Sequence, residues 1–412
     1  MREEYIEKIY AGWLGKIIGI RLGAPIEGWT YEKIKNIYGE LTGYPIDYKR
    51  FAADDDSNGP LFFLKALEDG KHGADLCAQD VGNALLNYAP FEHGFFWWGG
   101  YGISTEHTAY LNLRNGIPAP RSGSIEQNGA TMAEQIGGQI FIDTWGLVTP
   151  GNPDLAAKLA KEAASVTHGG NGIYGGIFVA VCISYAFLEK DIKKIIEKGL
   201  SYIPSDCEYT RVVRAVMNFY DVHKEDGWRN CFQYIYENFG YDKYPGNCHI
   251  IPNIAVMILS LLYGEGDFLN TLNICNMCGW DTDCNVGNVG TIIGVRNGLE
   301  NMDYEKLRKP INDFLACSSV LGSLNVMDIP FGALYISKMA YELAGESMPE
   351  PWKTLAEERI DSCHFEFPGS THAIEMRAEG LDKRARKERE YVIQNTRETA
   401  HSGNGSLKFL AK

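Results

Sequence analysis

"MCGWDTDCNVGNVGTIIGV", Met277 to Val295, places two aspartates, Asp281 and Asp283, directly before a run of glycines and small apolar residues. Side chains at i and i+2 diverge on a regular helix, so these two carboxylates can face one point only from a bent backbone. Gly287, Gly290 and Gly294 each lower helix propensity. They make sense where a helix packs tightly in the centre of a bundle. The stretch therefore reads as a pair of acids at the head of a buried helix, at the rim of a core.

The rest of the chain supplies the bundle. Ile6, Ile9, Tyr10, Trp13, Leu14, Ile17 and Ile18 recur at helical spacing, and Gly15, Gly19 and Gly23 add small positions where another backbone can approach. Pro25 predicts that this helix stops near Gly23. Further helices are predicted after Asp56, over Asp154–His168, along "GIYGGIFVAVCISYAFLEK", over Asp191–Ile203 and Cys207–Glu225, and along "WRNCFQYIYENF" and "IPNIAVMILSLLYG". Strand-like alternation is nearly absent before about residue 355. The predicted fold class is all-α, followed by a short β-like tail.

A second acidic group, Asp54, Asp55 and Asp56, lies between Phe51-Ala52-Ala53 and Leu61-Phe62-Phe63. Taken alone, such acids are also what a helix N-terminus attracts as caps. Brought together with Asp281 and Asp283, five carboxylates share one place, which is electrostatically untenable without cations. Oxygen ligands select hard ions such as Mg²⁺, Mn²⁺ or Ca²⁺, and two ions bridged by aspartates balance the charge.

Composition narrows the function. The 412 residues carry a formal charge of −14, with 45% hydrophobic and 22% charged residues, as in a soluble globular protein. Neither a nucleic-acid nor a membrane partner is expected. The first 350 residues hold no Lys/Arg cluster, and the run "KRARKER" at Lys383–Arg389 reads as a solvated face or tail. The apolar stretches Ile173–Leu188 and Ile250–Tyr263 are shorter than the ~20 residues of a membrane span. "MREEYIEKIY" is charged and amphipathic, unlike a signal peptide. Ten irregularly spaced cysteines point to reduced thiols in a cytoplasm. Cys275, Cys278 and Cys284, with Cys248-His249, make a poor zinc pattern and read better as buried small residues.

"LGAPIEG", "DDDSN", "SVTHGGNGIYGG" and "GWDTDCNVGNVGTIIG" occur in an order and at distances that resemble the ADP-ribosylglycohydrolase family, over about residues 5 to 345. The resemblance implies an all-α bundle with a central pair of Mg²⁺ or Mn²⁺ ions, hydrolysing the glycosidic bond between ADP-ribose and a protein side chain or small molecule. The family's Thr-Asp-Asp-Thr box falls on Asp54, Asp55, Asp56 and Ser57, and its Asp-x-Asp-Thr box on Asp281, Thr282, Asp283 and Cys284. The implied metal ligands are Asp54, Asp55, Asp56, Asp281, Asp283 and Cys284. Glu27 falls on the loop glutamate that assists the reaction, with Asp56 and Asp283 as the catalytic aspartates. Asn128 and Gly129, in "QNGATM", and His168 and Gly169, in "THGG", are the implied substrate-binding residues. Three positions depart from the pattern. Asp54 and Cys284 replace threonines, and Gly19-Ile20-Arg21 replaces a Gly-Asp pair. Sulfur is a poor ligand for Mg²⁺. Two other readings stay open: a glycosidase acting on another N- or O-glycoside, and a non-catalytic ADP-ribose or nucleotide binder. The aromatic run Phe95–Leu113 reads as core more readily than as a stacking platform.

The chain divides at about residue 355. Residues 1–355 form the expected helical domain. Residues 356–412 are β-like, either an arm on the body or the start of a β-sandwich module cut short.

Overall fold

In the computed structural model, the described residues are 1–46, 55–319, 321–357, 362–375 and 391–411. Asp54 and the Lys383–Arg389 run lie outside them. The body is mostly helical.

Two helices form its axis. The N-terminal helix (Glu4–Gly23) and the central helix (Thr282–Asn297) lie backbone against backbone. A Cβ added at Gly15 would sit 2.2 Å from the Gly290 carbonyl oxygen, and one at Gly19 would sit 2.2 Å from that of Val286. Real Cβ atoms do not come so near, so only glycine permits this contact. The crossing is tied at its end: Thr282 Oγ1 donates to the Gly23 carbonyl at 2.8 Å, and Asn276 Nδ2 to that of Leu22 at 2.9 Å. These bonds satisfy carbonyls that a helix C-terminus otherwise leaves open.

The N-terminal helix differs from its predicted single stripe. It is buried on every face from Ile9 to Gly23, including Lys16 and Arg21. Arg21 Nη1 donates to the Pro310 carbonyl at 2.6 Å, and its guanidinium lies over the Tyr44 ring. Around the axis pack the helices Asn171–Ala186, Ile250–Tyr263 and Ile329–Ala344. Pro153–Ala164 is shorter than predicted, because the chain turns at Ser165–Thr167 before Gly169 and Gly170. His249 caps the Ile250–Tyr263 helix by accepting from the Ile251 N–H at 3.2 Å.

Short strands occur inside the body. β1 (Trp29–Thr30) pairs antiparallel with β2 (Gly279–Trp280), and β3 (Phe314–Ala316) with β4 (Val326–Asp328). Segments of two or three residues cannot display a period of two, which is why alternation misses them. Downstream, β5 (Tyr391–Thr396) and β6 (Ser406–Ala411) form an antiparallel hairpin. Residues 362–375 pack on the body. Phe367 is buried and stacks on Tyr10 at 4.4 Å, and the Thr371 N–H donates to Asp313 Oδ2 at 2.6 Å. The hairpin is tied to that segment through Asn395 Nδ2, which donates to the Phe365 carbonyl at 2.9 Å.

Candidate metal and hydrolytic site

The acid helix (Asp55–Gly70) begins at Asp55, so Asp55 and Asp56 occupy its first turn. Their negative charge suits the helix N-terminus. Across from it, Asp281 is the residue before the central helix and Asp283 lies in its first turn. The bend that brings them together is Trp280, at φ +68°, a left-handed conformation rare for a bulky side chain. Trp280 is held there by aromatic packing against Tyr236, Tyr241 and Phe232, and by its β-pairing with Trp29. A polar chain steadies the loop: Asn285 donates its backbone N–H to the Asp281 carbonyl and its Nδ2 to Asn253 Oδ1, and Asn253 Nδ2 donates to Tyr241 Oη.

Glu27 follows the short turn Ala24–Ile26 that ends the N-terminal helix. The Gly28 N–H donates to the Trp280 carbonyl at 2.7 Å, extending the β1–β2 clasp and holding Glu27 above the aspartates. Two triads of converging ligand atoms result: Glu27, Asp281 and Asp283, and Asp56, Asp283 and Cys284. Within each triad the atoms lie within 4.8 Å of one another. Asp283 belongs to both. Asp56, Asp281, Asp283 and Cys284 are buried, and Glu27 sits at the exposed rim. Asp56 Oδ2 and Asp283 Oδ1 have no hydrogen-bond partner among the described residues. Cys284 donates its S–H to Asp56 Oδ1 at 3.5 Å.

The electrostatics follow from this crowding. Burial, and then Asp56, push Asp283 up to about 7. Asp281 is driven well above the usual carboxylate range by burial, then by Asp283, Glu27 and Asp56. Glu27 rises to about 7, chiefly because Asp283 repels its charge. Burial raises Asp56 to about 6, against the opposing pull of Lys16. Mutually repelling carboxyls with orphaned oxygens are what a cation site presents without its cation. The donor set, carboxylate oxygens and one sulfur, therefore fits divalent metal.

Lys16 is a member of this region that the sequence reading did not single out. Its Nζ is wholly buried and donates to Asp143 Oδ2 at 2.9 Å and to the Ile140 carbonyl at 3.0 Å. Asn288 Nδ2 donates to the same Asp143 oxygen at 2.9 Å. Burial alone lowers a lysine pKa, yet Asp143 and Asp56 outweigh it and hold this ammonium charged. The signal was available: a lysine inside a helix apolar on every side must be paired.

The other predicted residues form a separate set of contacts. Asn128 accepts at Oδ1 from Asn112 Nδ2 and donates from Nδ2 to the Ser122 carbonyl, both at 2.8 Å, and Gly129 follows at φ +81°. His168 is fully buried. Its Nδ1 lies 2.6 Å from Thr167 Oγ1, and its Nε2 lies 3.8 Å from Glu106 Oε1. Burial lowers His168 to about 3 and raises Glu106 to about 7, leaving the imidazole neutral. His168 and Gly169 line an open cleft with Pro118, Arg121, Ser124 and Glu126. In the aromatic run, Phe96 is core, while Phe95, Tyr101 and Ile103 are exposed. Cys275 and Cys278 are buried and join no converging ligand group among the described residues, and all ten cysteines are free thiols. No described helix is long and apolar enough to cross a membrane.

An uncharacterized protein of Archaeoglobus fulgidus is 25% identical over 193 residues, a match covering 45% of this chain and 58% of that relative's length. A solved structure described as an ADP-ribosylglycohydrolase-related protein complex superposes with a TM-score of 0.54 at 17% identity, covering 84% of this chain and 100% of that one. At that identity the likeness establishes the helical fold alone. The profile of the ADP-ribosylglycohydrolase family matches residues 1–323. The chain belongs to the ADP-ribosylglycohydrolase family.

Proposed function

We propose that the protein is a metal-dependent hydrolase of a ribosyl glycosidic bond, releasing ADP-ribose from an ADP-ribosylated protein or small molecule. The observation that carries this reading is the pair of ligand triads sharing Asp283, with unpartnered buried oxygens on Asp56 and Asp283. Two divalent ions, Mg²⁺ or Mn²⁺, would be held by Glu27, Asp281 and Asp283 on one side and by Asp56, Asp283 and Cys284 on the other. Asp54 and Asp55 complete the expected ligand set from the acid helix and the residue before it. Bound there, the ions supply Lewis-acid polarisation of water and of ribose hydroxyls.

The protein's own groups do the rest. Glu27, at the open rim, would give one carboxylate oxygen to the ion and use the other to pass a proton to the leaving group or take one from water. Asp56 and Asp283 orient the attacking water from the buried side. Asn128, Gly129, His168 and Gly169 form the proposed substrate-binding side. The Lys16–Asp143 pair holds the floor of the site rigid. We further propose that residues 1–355 act as the helical catalytic domain with 356–412 as an appended β-like segment, and that the protein works in the cytoplasm.

The test is release of ADP-ribose from ADP-ribosyl-arginine and ADP-ribosyl-serine, with wild type beside Asp283→Ala. Release that requires Mg²⁺ or Mn²⁺, stops with chelator and is absent in the variant supports the reading. Turnover of a simple sugar glycoside alone replaces the substrate. Bound divalent ion without turnover of either class makes the protein a binder.

A further inference from the structure

The two triads are chemically unequal. Glu27, Asp281 and Asp283 offer carboxylate oxygen only, whereas Asp56, Asp283 and Cys284 offer two oxygens and a sulfur. Cys284 is 7% exposed and sits in the first turn of the central helix, whose backbone the glycine contacts with the N-terminal helix hold in place. The two carboxylates that flank its thiol carry the two unpartnered oxygens, Asp56 Oδ2 and Asp283 Oδ1. Lys16, the nearby ammonium, is already committed to Asp143 and the Ile140 carbonyl. Lys16 therefore reaches Asp56 and Cys284 only as a nearby charge and not as a hydrogen-bond donor, and a soft donor lies inside this half.

Hard ions such as Mg²⁺ take oxygen ligands and gain little from sulfur, whereas thiolate favours Fe²⁺, Co²⁺ and Zn²⁺. We propose that the centre is mixed. The Asp56–Asp283–Cys284 subsite takes a borderline divalent ion of the Fe²⁺, Co²⁺ or Zn²⁺ class through a sulfur–metal bond, and the Glu27–Asp281–Asp283 subsite takes a hard ion. On binding, the Cys284 S–H bond breaks, its proton leaves to solvent, and the sulfur lone pair forms the bond to the metal, with no change of oxidation state. This inference rests on the metal-dependent reading above and refines it.

The probe is Co²⁺ added to the full-length, chelator-treated protein. A near-ultraviolet sulfur-to-cobalt charge-transfer band is expected alongside the visible d–d bands. In Cys284→Ser the charge-transfer band is lost while the d–d bands remain, and Cys248→Ser keeps both. The preference for Co²⁺ over Mg²⁺, measured by competition, falls by about tenfold or more in Cys284→Ser. X-ray absorption of Co²⁺-loaded wild type needs no substitution and is expected to show a sulfur scatterer. Visible d–d bands without charge transfer, or a charge-transfer band that survives Cys284→Ser, overturn the sulfur bond and leave the metal site standing. Failure of Co²⁺, Mg²⁺ and Mn²⁺ alike to bind removes the metal-dependent function itself, and this inference with it.

Discussion

Lys16 Nζ and Asp143 Oδ2 meet at 2.9 Å, with neither side chain exposed to solvent. The pair joins the N-terminal helix to the short helix Asp143–Leu147 beside Asp56. Removing one partner of a buried ion pair strands the other charge, so Lys16→Met is expected to cost about 3–5 kcal/mol. The double variant Lys16→Met/Asp143→Leu should recover most of that loss. Urea unfolding of the three proteins measures both values. Losses that simply add would show that the two residues act independently.

The glycine crossing gives a second expectation. Gly19→Ala drives a methyl group into the Val286 carbonyl, which belongs to a backbone that has no room to move. Overpacking of this kind costs roughly 1–3 kcal/mol or more. The same substitution at Gly116, where an added Cβ meets nothing within 4 Å but φ is +84°, costs through backbone strain alone. Thermal unfolding should rank Gly19→Ala as the more damaging, and it should weaken divalent binding as well, because the crossing carries Asp281 and Asp283.

Asp283 sets a pH dependence whose sign is unusual for an acid. Its folded-state value is raised to about 7 by burial and Asp56, above the ordinary carboxylate range. Stability linked to such a group is fully present below the unfolded pKa and is lost as pH rises through about 7. Metal-free wild type should therefore weaken between about pH 4 and pH 8. Asp283→Asn removes one of the raised carboxyls and should reduce that decline, to which Asp281, Glu27 and Asp56 also contribute, gaining on the order of 2 kcal/mol at pH 8 without metal. The same variant should lose the stabilisation that Mg²⁺ or Mn²⁺ gives the wild type. Calorimetry with and without metal separates the two effects, and a variant less stable than wild type at pH 8 without metal would contradict the account.

Glu106 provides a parallel case outside the two ligand triads. Burial raises it to about 7, while a hydrogen bond from Ser104 Oγ at 3.1 Å partly offsets the shift. The sign is again loss of stability as pH rises through about 7. Glu106→Gln keeps the shape without the charge. It should remove up to about 3 kcal/mol of that decline between pH 5 and pH 8. Chemical unfolding across that range reads it directly.

How much of this was legible beforehand depends on whether the determinant was local. "GWDTDCNVGNVGTIIG" carried its own reading, because two acids before a glycine-spaced apolar run make sense only at the head of a tightly packed helix. The helices at Asp191–Ile203 and Cys207–Glu225 were legible for the same reason, since their apolar period is written in consecutive residues. Charge suggested that the Asp54–Asp56 group and the Asp281–Asp283 pair would need a common cation, and the family resemblance paired them; among the described residues the converging ligand groups include Asp56 but not Asp55.

Tertiary structure decided the rest. Lys16 occupies one position in an apolar helix, and only the packing of Asp143 and Asn288 around it shows that it is a buried counter-charge. Trp280 gives no sign in sequence of its positive φ, which comes from the β1–β2 clasp and the aromatic side chains around it. Glu106 lies in an unremarkable turn of helix until Gly137 and His168 close over it. Composition and spacing determined that this chain is mostly helical with acidic groups at the heads of two helices, because periodicity and charge are properties of neighbours along the chain. Which atoms share a site, and which charges balance them, was decided by residues more than a hundred positions apart. Only the folded chain brings those residues into contact.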